Sequence, residues 1–259
     1  AIVFGCVIAY VLSSSITNRL TRVEQVARRV ANGDLTAGDI IDDSGDPGTN
    51  PNYGFPMADL TPRVIGNPNP DFLLGINSTI RWKNLSFKFL FDIKQGGDMW
   101  NGTKGAMTFF GTSANTEGRA SMNWDANWGW VHDYSQANHT FAGVLASNTS
   151  ASNGIAVPLD EYWYTGNGGG FGSVDEHFIQ DASYYRLRFL TASYDFGSLI
   201  KGIPNLTLSF TGRNLWLSTP YEGIDPETSL VGSSSNGQGL DYFQMPGVKS
   251  YSVGLNATF

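Results

Sequence analysis

Two alternating runs, 72–82 and 85–93, meet across only Lys83 and Asn84, and this pair constrains the fold more than any other feature. Phe72, Leu74, Ile76, Ile80 and Trp82 share one face of the first run, with Asn77, Thr79 and Arg81 opposite. Leu85, Phe87, Phe89, Phe91 and Ile93 share one face of the second, with Ser86, Lys88 and Asp92 behind them. A period of two is the signature of a β-strand, and two residues between such runs leave room only for a hairpin turn. Three more strands are predicted. One runs from Tyr184 to Phe196 and slips phase near Phe189 and Leu190, as a β-bulge would make it do. The next spans Leu206 to Leu217. In the last, Tyr251, Val253, Leu255, Ala257 and Phe259 alternate with Ser252, Gly254, Asn256 and Thr258. An apolar face backed by a small polar one suits a strand between a greasy phase and a wet one. An amphipathic edge strand of a soluble sheet has the same pattern.

The connections separate these possibilities. Short turns fall at Lys83-Asn84 and around 197–205, and long loops at 97–181 and 219–248. Short turns at one rim and long loops at the other is the layout of an outer-membrane β-barrel. The strands also exceed the usual mode of ~5–6 residues in globular sheets and fit tilted membrane strands. Composition agrees, with 13% aromatic residues, only 15% charged residues and 31 glycines among 259 residues. The net charge of −7 hides a basic leader, +2 over residues 1–38, and an acidic remainder of −9. An acidic body argues against nucleic acid as a partner. Cys6 is the only cysteine, which excludes an internal disulfide and any multi-cysteine metal site. The expected class is mainly β: a partial antiparallel outer-membrane barrel of about five strands with long external loops, preceded by one N-terminal α-helix.

Residues 1–16 form an apolar run without a basic start, too short for a full span of ~20 residues, and read as the tail of a transmembrane helix. Arg19 and Arg22 follow, as on a cytoplasmic flank. Leu20, Val23, Ala27 and Val30 then recur at helical spacing up to Gly33. With Gly33-Asp34-Leu35, this stretch resembles the membrane exit and first helix of a HAMP linker from chemoreceptors and sensor kinases. A generic amphipathic helix remains the alternative. Residues 1–37 are therefore expected to be one piece, of inner-membrane type, and 38–259 another.

The second piece resembles the C-terminal part of a SusC/RagA-type TonB-dependent outer-membrane transporter. The stretches that carry the likeness are 63–72 (Arg-Val-Ile-Gly-Asn-Pro-Asn-Pro-Asp-Phe), 164–172, 178–188 (Phe-Ile-Gln-Asp-Ala-Ser-Tyr-Tyr-Arg-Leu-Arg), 212–216, 223–228 (Gly-Ile-Asp-Pro-Glu-Thr) and 237–243. The resemblance implies import of oligosaccharides or peptides, energy from the TonB system, an outer-membrane location and a SusD-like surface lipoprotein as partner. It also implies that Tyr251, Val253, Leu255 and Phe259 form the closing strand read by the barrel-insertion machinery, with outer-membrane lipid against their face. Five strands cannot close a pore that the family builds from about 22. The chain is thus expected to be a truncated fusion of two unlike pieces, genuine or artefactual, not transport-competent alone. A membrane-anchored sensory receptor fragment with a β-rich ligand-binding region is the other reading.

Loop 97–181 supplies the candidate site. Trp124, Trp128, Trp130, Tyr162, Trp163 and Tyr164 are aromatic residues in a loop rich in Asn and Asp. Rings that stack on C–H surfaces beside groups that bond hydroxyls suit a sugar. The same rings serve equally to pack the loop on itself or onto the lipoprotein. Asp39, Asp42, Asp43 and Asp46 could ligate calcium, but Pro47 stands where an EF-hand loop needs glycine, and an acidic solvated turn is expected. His132, His139 and His177 lack metal-ligand spacing, and no nucleophile or phosphate-loop motif occurs. No metal, cofactor or catalytic residue is expected, and no enzyme.

Overall fold

The computed structural model describes residues 39–58, 64–172, 174–197, 205–231 and 237–258. The expected leader helix, the segment 198–204 and Phe259 lie outside the described residues. The chain divides into two compact units, one holding residues 39–58 and 117–164 and the other 64–116 and 165–258.

The second unit is built on a five-stranded antiparallel sheet. Its strands are β1 (Phe72–Trp82), β2 (Leu85–Gln95), β3 (Tyr184–Gly197), β4 (Asn205–Ser218) and β5 (Ser250–Thr258). The order across the sheet is β5-β4-β3-β2-β1, so chain neighbours are sheet neighbours throughout. All five strands match the expected runs to within a residue or two. Lys83 turns the first hairpin with φ of 52°, in the left-handed region.

Register shows what the alternation builds. Ile80, Phe87, Ala192, Phe210 and Val253 pair in one row across all five strands. Trp82, Leu85, Tyr194, Leu208 and Leu255 form the next row on the same face. Ile76, Phe91, Leu187 and Trp216 form another, and there Phe91 stacks on Trp216 with ring centroids 6.0 Å apart. The opposite face carries Thr79, Lys88, Thr191, Thr211 and Ser252 in one row and Arg81, Ser86, Ser193, Ser209 and Gly254 in the next. Thr191 and Thr211 hydrogen-bond across it at 2.9 Å.

The bulge falls where the phase slip indicated. Leu187 pairs with Phe91 and Phe189 with Leu90, so Arg188 is the extra residue of β3. Without it, the odd-numbered Tyr185 and Leu187 would share the apolar face with odd-numbered residues further on. With it, Leu190, Ala192 and Tyr194 take over that face. Strand β4 answers at the same level, with Asn214 at φ of 51° and its side-chain amide donating to the Val248 carbonyl at 2.9 Å. Asparagine tolerates this conformation better than most residues.

Loop 97–181 is not structureless. After β2 the chain forms a short strand, Asp98–Asn101, and helix α1 (Gly102–Phe109). The buried Asn101 caps this helix, its side-chain oxygen accepting from Lys104 N at 2.9 Å. Gly105 and Gly170 touch backbone to backbone, Gly170 N donating to Gly105 O at 3.0 Å. A Cβ on Gly170 would sit 2.3 Å from the Gly105 carbonyl carbon, so only glycine fits.

The first unit holds a small sheet in which Asp39–Ile41 runs parallel to Gly143–Leu145, which pairs with Asn148–Ser152. A separate hairpin joins Met122–Asp125 to Gly129–His132. Its core is Phe55, Val157, Trp163 and Tyr164, ringed by Tyr134, Phe141, Ile155 and Leu159.

Candidate functional site

Two sites emerge, one in each unit. In the first unit, the 122–132 hairpin displays three tryptophans. Asp125 closes its turn, Oδ1 accepting from Asn127 N at 2.7 Å and Trp128 N at 3.0 Å, and Gly129 takes φ of 78°. Trp124 and Trp130 are directly paired across the strands and meet edge to face at 5.4 Å. Trp124, Trp128 and Trp130 remain 64–67% exposed.

A cavity of about 250 Å³ opens beside this hairpin, walled by Trp128, Trp130, Met122, Tyr162, His132 and the 47–51 turn. His132 is its anchor. The imidazole Nδ1 faces Asp160 Oδ2 at 2.5 Å, and Nε2 faces the Pro51 carbonyl at 2.8 Å. Each ring nitrogen is thus within hydrogen-bond distance of an oxygen of the first unit. Asp160 is fully buried and also accepts from Trp163 N at the start of helix α2 (Glu161–Thr165). Phe55 stacks between the imidazole, at 4.7 Å, and Trp163, at 5.4 Å. Tyr134 donates to the Tyr53 carbonyl at 2.5 Å, and burial, followed by the nearby Asp160 charge, pushes its phenol well above the ordinary range. His132 and Tyr134 are thus tied to Asp160 and to backbone carbonyls of the 51–53 turn.

This geometry divides the six sequence-chosen aromatic residues. Trp128, Trp130 and Tyr162 line the cavity, and Trp124 buttresses Trp130 from outside. Trp163 and Tyr164 do not join them. They are 8% and 7% exposed and belong to the core, so their expected place at an open ligand site is corrected. Successive residues of a helix point about 100° apart, which turns Tyr162 outward and its two neighbours in.

The acidic turn is structural. Asp42 Oδ1 accepts from Ser44 N and Oγ at 3.0 and 2.6 Å, Asp46 Oδ1 accepts from Gly48 N at 2.8 Å, and Asp43 accepts from Ser147 N at 2.9 Å. The bonds from Ser147 hold Asp43 below the usual carboxylate range. Among the described residues no cluster of His, Cys, Asp and Glu is arranged to hold a metal ion.

The second site lies on the polar face of the large sheet, and sequence reasoning missed it. Arg186 Nη2 donates to Asp225 Oδ1 at 2.5 Å, and its Nη1 lies 3.2 Å from Glu227 Oε2. Arg188, the bulge residue, donates to Asp92 on β2 and grips Glu227, with Nη1 to Oε2 at 2.7 Å. Tyr184 donates to Glu227 Oε1 at 2.6 Å. Burial would raise the Glu227 carboxyl, but bonds from Arg188 and Tyr184 and the Arg186 charge outweigh it and hold it below its ordinary value. A parallel latch joins the same loop region to α1: Tyr221 donates to the buried Asp241 at 2.6 Å, Thr103 donates to the other Asp241 oxygen at 3.1 Å, and Lys104 pairs with Glu222. Burial and the Asp241 bond push the Tyr221 phenol far above its usual range. The stretches 178–188, 223–228 and 237–243 were noted one by one in the sequence. Their acid–base complementarity was the available signal that they meet.

No family model matches this chain. Over 205 residues, 76% of the chain, it is 27% identical to TonB-dependent receptor P3 of Formosa agariphila, and over 203 residues 26% identical to TonB-dependent receptor P26 of the same organism. TonB-dependent receptor SusC of Bacteroides thetaiotaomicron is 23% identical over 202 residues. The chain spans 16–18% of the length of these curated relatives. Among solved structures, the RagAB peptide importer overlaps 78% of this chain and 19% of its own in the open-open state, at 22% identity and a TM-score of 0.46, and the closed-closed state gives 21% and 0.48. Over about three quarters of its length, then, this chain is similar in sequence to TonB-dependent receptors.

Proposed function

We propose that the five-stranded sheet is part of the barrel wall of a TonB-dependent outer-membrane transporter that imports oligosaccharides or peptides. One observation carries the reading: the sheet is mostly apolar on one face across all five strands, with Ser78 and Gly212 in mid-strand there, and mostly polar on the other, where Leu73, Leu90 and Phe189 stand among polar residues. Val253 and Leu255 are 71% and 68% exposed, and Trp82, Ile80, Phe210 and Tyr251 also lie open. Five strands ~4.8 Å apart and about nine residues deep give an apolar area of roughly 700 Å². Monomeric soluble proteins rarely expose patches beyond a few hundred Å². Lipid is the solvent that makes such a face stable. Similarity to TonB-dependent receptors supports the same assignment.

On this reading the polar face looks toward the barrel interior, and the 219–231 loop folds onto it through the Arg186, Arg188 and Glu227 cluster. The first unit belongs to the external side, where a SusD-like surface lipoprotein would sit. Tyr251, Val253 and Leu255, with Phe259, are offered to the barrel-insertion machinery. The test is quenching by brominated phosphatidylcholine. In vesicles of this lipid, fluorescence from the apolar-face Trp82 and Trp216 should fall strongly, and the W82F/W216F double variant should lose most of that quenching. Equal quenching in the double variant, or none in the parent chain, would sink the proposal.

A further inference from the structure

We infer that the aromatic-walled cavity of the first unit binds a small, free quaternary ammonium cation. The inference stands on that unit alone and does not depend on the barrel-wall reading.

The wall supplies the attraction. Trp128, Trp130 and Tyr162 line the cavity together with Met122 and His132. Two of the three rings are braced by another ring set nearly at right angles. Trp124 stands 5.4 Å from Trp130 at 80°, and His132 stands 5.1 Å from Tyr162 at 88°. The face of an aromatic ring carries negative potential and draws a cation toward it, Trp most strongly. Rings already held in place lose little freedom when the cation arrives.

The charge of the unit selects for the same sign. Its described residues hold nine Asp and Glu side chains against one basic side chain, Arg119. Neutral donors satisfy some of these carboxylates without cancelling their charge. Ser147 N donates to Asp43, and the Ser135 hydroxyl and Gln136 amide donate to Asp133 at 2.6 Å each. Those bonds hold both carboxyls below the usual range, so both are charged at neutral pH. Such a field concentrates cations near the unit and repels anions.

The lining decides which cation. None of the described residues around the cavity is Asp, Glu, Lys or Arg. The Asp160 carboxylate faces His132 Nδ1, and the Pro51 carbonyl faces Nε2. A primary ammonium or a guanidinium must exchange water for acceptors on every N–H it buries, and this wall offers it no carboxylate. A quaternary ammonium has no N–H to satisfy, and its methyl groups can pack against the ring faces and the Met122 thioether. Size agrees: at about 250 Å³ the cavity falls below the ~300–1,000 Å³ of sites for drug-sized ligands.

The experiment uses the full chain in micelles of a non-ionic polyoxyethylene detergent. Saturation-transfer NMR reads the N-methyl protons of choline. The comparators are dimethylbutanol (the uncharged carbon isostere of choline), ethanolamine, methyl glucoside and glycerophosphocholine. Choline should bind, and dimethylbutanol and ethanolamine should bind at least ~10-fold more weakly, the first for want of charge and the second for its stranded N–H groups. Added salt should weaken choline binding and leave dimethylbutanol unchanged. Trp130→Ala should weaken choline ~10-fold, whereas Tyr162→Phe, which keeps the ring, should stay within ~2-fold of the parent chain. Phe110→Ala, in the other unit, should change nothing. Near-UV circular dichroism establishes that each variant is folded, and the ligand comparison on the parent chain needs no variant. Equal or tighter binding of dimethylbutanol, ethanolamine or methyl glucoside would overturn the proposal, as would a folded chain that does not bind choline. Tighter binding of glycerophosphocholine would make a lipid headgroup the occupant and overturn the free cation.

Discussion

Glu227 shows how much one side chain can organise. It accepts from Tyr184 and Arg188, lies against Arg186, and stands two residues from Asp225, whose carboxylate also accepts from the Glu227 backbone N–H at 3.0 Å. Removing one partner from such a cluster leaves buried charge uncompensated, which costs more than the intact cluster contributes. The pH dependence follows from the direction of the shift. The folded carboxyl is held below its ordinary value of 4.5, so folding favours the charged form. The stabilisation is fully present above that value and is lost as pH falls below it and through the lower folded value. Hydrogen exchange in residues 219–231 should therefore accelerate as pH drops below 4.5, after correction for intrinsic exchange. In Glu227→Gln the loop should exchange faster at neutral pH and lose most of that acid dependence. An acid response identical in the variant would show that Glu227 does not hold the loop.

At the scale of elements, the strands were legible because each faces two different environments, and alternation records both. The bulge was legible because it breaks that record at Phe189 and Leu190, one residue from the extra residue, Arg188. The ion cluster was not, since no local pattern tells Arg186 to meet Asp225, 39 residues away. The first unit was hidden for a related reason. Its two segments, 39–58 and 117–164, lie far apart in the chain, and their Gly, Pro and Asn texture reads as loop. Of Tyr162, Trp163 and Tyr164, composition alone could not say which faced outward. A prediction belongs at this scale. Phe89 shares a row with Leu190, Gly212 and Tyr251, mid-strand on the apolar face. If that face meets lipid, Phe89→Arg should destabilise the lipid-inserted chain by ~2–4 kcal/mol near mid-membrane. Urea unfolding from vesicles measures this. A change within about 0.5 kcal/mol, the ordinary effect of a surface substitution, would mean that the face meets water.

For the whole molecule the decisive fact is that the described sheet does not close. Its outer strands, β1 and β5, each have one neighbour, so each leaves a row of backbone donors and acceptors unpaired among the described residues. In hydrocarbon, unpaired backbone groups cost several kcal/mol each, and in water an open edge recruits other strands. About eight strands are needed before a barrel interior can even be filled by side chains, so five enclose no channel. Lipid contact and ion conduction should thus come apart. The chain should bind vesicles through its apolar face and run larger than a monomer in detergent as edges pair between copies. In planar bilayers it should pass no steady current. Light scattering coupled to size exclusion tests the first expectation, and single-channel recording tests the second. Discrete, reproducible conductance steps from the purified chain would mean that its strands close a pore, alone or between copies. A strictly monomeric species in detergent would mean that the edges of β1 and β5 are already covered.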